Sequence, residues 1–173
     1  MGRDEPGPAL TGRTPPKAAG HPQAPMSSEE RMTRTMSLSK QGRGPEVSAS
    51  VEEFLAAPQH VAALTTVRPD GTLHMAPVRF TWDAAAGLVR VMTVASSRKA
   101  RNLLAAPGGR VALCQVHGFT WVTLEGTGTV VSDPARVAEG VRRYTERYWS
   151  APPNPPGRVV IEIEVDRVLS LNA

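Results

Sequence analysis

The stretch Leu64-Thr-Thr-Val-Arg-Pro-Asp-Gly-Thr-Leu-His-Met-Ala-Pro-Val78 decides the fold. A β-rich run from His60 to Val67 meets the turn Arg68-Pro-Asp-Gly71, and a second extended run follows from Thr72 to Asp83. Proline presets φ inside the turn and the Asp-Gly pair accepts the left-handed conformation, so the two runs fold back on each other as antiparallel neighbours. Pro77, inside the second run, has no N–H to give to a ladder. It predicts an edge, a bulge, or a place where the sheet stops pairing to meet something else.

Working outward, Ala84 to Gly87 turns the chain into a third strand, Leu88–Val94, and a fourth follows at Arg110–Val116. After the His117-Gly118 turn a long fifth strand runs from Phe119 to Val131. Along it Trp121, Thr123, Glu125 and Thr127 share one face and Val122, Leu124 and Gly126 the other. Gly126 and Gly128 predict a bulge or tight curvature there. A sixth strand, Arg158–Leu171, follows the proline-rich loop Ala151–Gly157. Three short helices interrupt the strands. Ser50-Val-Glu-Glu53 is a capping-box pattern that opens the first, burying Val51, Phe54 and Leu55 and stopping at Pro58. Ser97 opens the second, which Pro107-Gly108-Gly109 ends. Asp133-Pro134 opens the third, which runs to about Trp149 with Val137, Val141, Tyr144 and Tyr148 at helical spacing. An open Rossmann sheet is not expected, because the strand-to-strand connections read as too short for βαβ crossovers and no glycine-rich dinucleotide fingerprint is present. The expectation is a mainly β (α+β) fold, a six-stranded antiparallel barrel whose edges close by curling the sheet on itself.

Residues 1–45 carry seven of the sixteen prolines and no aromatic residue, a composition that cannot build a core, and predict a disordered tail before one domain over 46–173. The tail holds seven Lys/Arg against four Asp/Glu; the domain holds thirteen against twelve. A nearly neutral domain argues against specific nucleic-acid binding despite the basic whole chain. No apolar run is long enough for a signal peptide or a membrane span, and the chain reads as cytoplasmic. Cys114 is the only cysteine, in the apolar run Val111-Ala-Leu-Cys-Gln-Val116, and reads as a small buried hydrophobe. His60, His74 and His117 lack the paired spacing of a metal site, so no metal is expected.

Chemistry gathers in Thr93-Val-Ala-Ser-Ser-Arg-Lys-Ala-Arg-Asn-Leu-Leu104, where a strand ends, Ser96 and Ser97 follow, and a helix begins with Arg98, Lys99 and Arg101 in its first turn. Cations at a helix N-terminus oppose the macrodipole and cost stability unless an anion sits opposite. Free amides, hydroxyls and converging cations make a phosphate site. A capped helix with solvated basic residues is the competing reading. Lys99 is the only lysine after the tail, every other cation there being arginine.

Three segments, Leu64–Val78, Ser97–Leu103 leading to Arg110–Leu113, and Trp121-Val-Thr-Leu-Glu-Gly126, together resemble the pyridoxamine 5′-phosphate oxidase-like superfamily of split β-barrel flavin and deazaflavin proteins. The resemblance implies a homodimer with the cofactor in a groove between subunits, its phosphate held by the Arg/Lys-rich turn after the third strand. True pyridoxamine phosphate oxidases carry a C-terminal arginine- and histidine-bearing motif, whereas this chain ends Leu169-Ser-Leu-Asn-Ala173, and at Trp121 they place a glutamine that contacts FMN. The Asn102-Leu103 pair and the Trp121–Gly126 segment resemble the branch that binds coenzyme F420, a deazaflavin with a phospholactyl-oligoglutamate tail. The implied cofactor contacts are Thr93, Ser96, Ser97, Arg98, Lys99, Arg101 and Asn102 at the phosphate end. His74, the Ala76-Pro77-Val78 kink and Trp121 are implied at the ring. The implied reaction is hydride transfer from the reduced ring to a small electron-poor C=C, C=N or quinone-like acceptor. No catalytic residue is assigned. His74 is the best-placed general acid, against a structural role as its alternative. An FMN-binding oxidoreductase of the same fold and a non-catalytic F420- or flavin-binding protein remain the competing functions.

Overall fold

The computed structural model describes residues 45–57 and 61–173; the expected tail and His60 lie outside them. Helix α1 spans Ala49–Ala56, and its cap is Ser48, not the Ser50 expected from the sequence. Ser48 is extended (φ −70°, ψ 156°) and its hydroxyl accepts the Val51 N–H at 3.2 Å, which leaves Ser50 inside the first turn. Only Ser50 has the glutamate three residues on that the capping box requires, yet the chain is already helical there; Val51 and Leu55, four residues apart, share the face that enters the core, where both are buried.

The strands are β1 Ala62–Val67, β2 Leu73–Val78, β3 Thr81–Asp83, β4 Leu88–Val94, β5 Gly109–His117, β6 Thr120–Val131 and β7 Arg158–Leu171. Helix α2 spans Arg98–Ala105 and α3 Pro134–Tyr148. The described residues thus form seven strands rather than six, in one antiparallel sheet of order β2-β1-β5-β6-β7-β4-β3. The sheet is not closed. Its two edges, β2 and β3, are successive pieces of the run read as a single second strand, and the chain crosses from one edge to the other through Arg79 and Phe80. The break has a specific cause. The Phe80 N–H donates to the Tyr148 hydroxyl at 3.1 Å, that hydroxyl donates to the Phe80 carbonyl at 3.0 Å, and Arg147 donates to the same carbonyl at 2.6 Å. Side chains of α3 therefore take the place of a neighbouring strand, satisfying backbone groups that burial would otherwise orphan.

Pro77 lies on edge strand β2, opposite Ala63, where its missing N–H costs no ladder bond. The expected irregularity in β6 is also present: the register with β7 shifts between Glu125 and Gly126. A Cβ at Gly126 would stand 2.0 Å from the Glu164 carbonyl oxygen, so close backbone approach of β7 is what requires glycine.

Phe80, Leu64, Leu113, Leu124, Ile161 and Ile163 fill the inner face of the sheet. The outer face of β4 and β7 is covered by α3, which approaches at Gly140, against Met92 and Val160. This covering buries Val160 and Glu162 on the outer face of β7 as well as Val159, Ile161 and Ile163 on the inner face. Under α3, Glu162 is 3% exposed and accepts from Arg90 Nε at 3.3 Å and from Arg136; Arg90 also donates to Asp83 at 3.1 Å, and Asp83 pairs with Arg143 at 2.8 Å. Among the described residues, no helix is long and apolar enough to cross a membrane, and no cluster of His, Cys, Asp or Glu suits a metal ion.

Candidate functional site

At the end of β4 the chain bends into α2 through a short hydrogen-bonded turn. Ser97 is extended and its hydroxyl caps the helix by accepting the Ala100 N–H at 3.4 Å, while the Thr93 hydroxyl donates to the same oxygen at 3.1 Å. The cap leaves the first-turn amides of Arg98 and Lys99 without an intrahelical acceptor. Helix rotation then separates the three cations that lie together in sequence. Ala100, Asn102 and Leu103 face inward, Arg98 and Arg101 are exposed, and Lys99 is half-buried and turned toward a cavity.

That cavity, about 360 Å³, is formed by Pro77-Val78-Arg79 at the end of β2, Met92-Thr93-Val94 at the end of β4, Lys99, Tyr144 of α3, and the loop Pro152, Pro153 and Pro155 with Arg158. Among the described residues no aspartate or glutamate lines it, yet three cations do. Lys99 has no hydrogen bond or ion pair with any described residue, and burial alone pulls its ammonium below the ordinary lysine range. Arg79 donates to the Tyr144 hydroxyl at 3.0 Å, and Arg158 donates to the carbonyls of Pro152 and Pro153, the former at 3.0 Å. The acceptors of both arginines are neutral. A half-enclosed concavity with an uncompensated positive charge is suited to a polyanion.

Of the residues singled out in the sequence, the structure brings Pro77, Val78, Thr93 and Lys99 around this cavity. Ser97 acts on it indirectly, through its bonds to Thr93 and Ala100. Ser96, Arg98 and Arg101 are outside its lining and mostly solvent-facing. Asn102 is buried, and its amide donates to the Thr66 hydroxyl at 2.9 Å, tying α2 to β1. The Thr66 hydroxyl also lies 3.5 Å from His74 Nδ1 across the β1–β2 ladder. His74 is held below the ordinary histidine range, first by burial and then by Arg68, Arg98 and Lys99, so its neutral form prevails at pH 7. A neutral imidazole within a structural hydrogen-bond group is poorly prepared to donate a proton.

Ala76 and Pro77 line a second cleft of about 420 Å³, on the outer face of β1, β2 and β5, with Val61, Met75, Cys114 and Val116. Cys114 is therefore partly exposed at this cleft rather than buried. Trp121 belongs to the same outer face, opposite Val116 on β5 and Leu171 on β7, and does not line the cavity of Lys99. Sequence reading missed Arg79, Tyr144, Arg158 and the proline loop as site residues. In the sequence Tyr144 carries only a helical-spacing signal, and the proline loop only that of a connection.

The antiparallel sheet with three helices and a cationic cavity at the start of α2 has a family. The chain belongs to the pyridoxamine 5′-phosphate oxidase family, whose sequence pattern matches residues 47–172. A relative from Mycobacterium tuberculosis, an F420H2-dependent biliverdin reductase, is 43% identical over 111 residues, covering 64% of this chain and 79% of the relative. Among solved structures, an F420 reductase superposes with a TM-score of 0.56 at 26% identity, over 72% of this chain and 98% of that one. A conserved hypothetical protein of Mycobacterium tuberculosis superposes with a TM-score of 0.61 over 75% and 87% of the two chains; at 22% identity it supports the fold alone.

Proposed function

We propose that this chain is an F420-dependent oxidoreductase, and that the cavity between β2, β4, α2 and the proline loop receives the phosphate-bearing side of the cofactor at Lys99 and the adjoining edge of its ring at Pro77-Val78, beside Arg79 and Tyr144. The observation that carries the reading is the set Arg79, Lys99 and Arg158 around one cavity that no carboxylate of the described residues lines. The names of the 43%-identical relative and of the F420 reductase neighbour support the choice of deazaflavin over FMN. Lys99 would hold the phosphate, aided by the first-turn amides of α2, and the Pro77-Val78 backbone would bound the ring. Reduced F420 supplies a hydride; the protein orients the acceptor, excludes water and provides the proton. The acceptor is a small electron-poor molecule with a C=C, C=N or quinone-like system. The direct test is oxidation of F420H2, followed as regained absorbance of the deazaflavin, with biliverdin and menadione as probe acceptors. Turnover is expected. Tight F420 binding without turnover of either acceptor supports the binding-protein alternative, and retained FMN supports the flavin one.

The chain acts as a dimer in this reading. Met75 and Leu73 are 67% exposed, Val61 56%, Val116 55% and Phe119 91%, and Val61, Met75 and Val116 line one cleft, apolar surface suited to burial against a second copy. Pro77 lines both the outer cleft and the cationic cavity, so a second copy seated on the outer face would also wall the cofactor groove. Trp121 then contributes from that interface. Light scattering at micromolar concentration is expected to give twice the chain mass; a monomer there removes the shared groove.

A further inference from the structure

Two tyrosines one helical turn apart on α3 are used differently. The Tyr148 hydroxyl accepts the Phe80 N–H and donates to the Phe80 carbonyl, so its proton is committed to holding the β2–β3 crossing. The Tyr144 hydroxyl accepts from Arg79 Nη1 at 3.0 Å, and no described residue accepts its proton. Tyr144 is buried at 7% exposure, its ring lies 4.7 Å from that of Tyr148, and it lines the cationic cavity together with Thr93 and Lys99. A nearly buried phenol whose oxygen is held by a guanidinium and whose O–H has only the cavity to donate into is a placed proton donor. Arg79 itself is stacked over the Tyr148 ring at 4.9 Å, which fixes it beside the Tyr144 oxygen. His74, the candidate from the sequence, is neutral at pH 7 and lies outside this cavity's lining.

We infer that Tyr144 is the general acid of the reduction and Arg79 its positioning residue, an inference that rests on the F420 reading above. In the step, a C–H bond forms at one end of the acceptor's conjugated C=C or C=N system with a hydride taken from reduced deazaflavin. An N–H, O–H or second C–H bond forms at the other end with the Tyr144 proton. The acceptor gains two electrons and two hydrogens, and the deazaflavin is left oxidised by two electrons. The Tyr144 oxygen carries the negative charge beside the Arg79 guanidinium until water returns a proton.

The test compares wild type with Tyr144→Phe, which keeps the ring and removes only the hydroxyl. F420 affinity, read by tryptophan fluorescence, is expected to change less than about twofold, while kcat with biliverdin or menadione falls by about a hundredfold or more. Added imidazolium or acetic acid is expected to restore part of the lost rate, which a structural role for the hydroxyl would not allow. Arg79→Met is expected to lower kcat less, with no rescue by small acids. Unchanged kcat in Tyr144→Phe overturns the assignment, as does equal loss of F420 affinity and rate without rescue. A wild type that binds F420 but reduces neither probe leaves Tyr144 no step to serve and also overturns it. A wild type that fails to bind F420 overturns the reading beneath it.

Discussion

Replacing Arg90 by methionine is expected to destabilise the protein by about 3–5 kcal/mol, because it takes the shared counter-charge from two buried carboxylates rather than merely losing a contact. Arg90 lies between Glu162 and Asp83, with side-chain exposures of 11% for Arg90, 3% for Glu162 and 11% for Asp83. Without it, Glu162 keeps only Arg136, whose own side chain is 53% exposed, and Asp83 keeps Arg143 and the Ala86 N–H. Two carboxylates would then sit close together under α3 with their common counter-charge gone. The double variant Arg90→Met with Glu162→Leu removes both members of the central pair, and it is expected to recover most of the loss. Thermal melts check this: about 10 °C or more should be lost in the single variant and only a few degrees in the double. Equal losses in the two would show that packing under α3, and not the stranded charge, sets the cost.

The second large effect is on ligand affinity. If Lys99 holds the cofactor phosphate, a charge-assisted bond worth roughly 1.5–3 kcal/mol is lost in Lys99→Met, and F420 should bind about ten- to a hundredfold more weakly. Stability should not fall with it. Burial holds the Lys99 pKa below its ordinary value, so the ammonium is less comfortable in the folded chain than in the unfolded one. While Lys99 is protonated in both states that penalty is present in full, and it is relieved only as pH rises through the folded-state pKa. Lys99 also stands in the first turn of α2, where a cation opposes the dipole by roughly 0.3–1 kcal/mol. The cofactor-free variant should therefore melt at the same temperature or slightly higher. A lysine needed for folding predicts a lower melting temperature, and a solvated one predicts unchanged affinity.

The fold was legible where its causes are local. The Arg68–Gly71 turn, the alternation of β6 up to Gly128 and the Asp133-Pro134 helix start each have their reason within a few residues, and all three are present. The break between β2 and β3 was not legible, because the groups that replace the missing strand, Arg147 and Tyr148, stand more than sixty residues further along the chain. The buried outer face of β7 has the same origin, since only the packing of α3 makes Val160 and Glu162 interior. At the site, adjacency in sequence was a partial guide. Residues 96–102 were grouped because they are neighbours, and the helix turns them in different directions: Lys99 to the cavity, Asn102 to Thr66, Arg98 and Arg101 to solvent. Arg79, Tyr144 and Arg158 come from three distant segments, and no spacing rule joins them before the chain is folded.

A cavity lined by three cations, and by no carboxylate of the described residues, suits a polyanionic deazaflavin. Titrating the purified protein with F420 and, separately, with FMN, followed by intrinsic tryptophan fluorescence, tests it most directly. Saturable F420 binding is expected, with FMN weaker by at least about tenfold, a difference of about 1.4 kcal/mol in favour of the more highly charged cofactor. FMN binding as tightly as F420, or a signal unmoved by F420, would contradict the account.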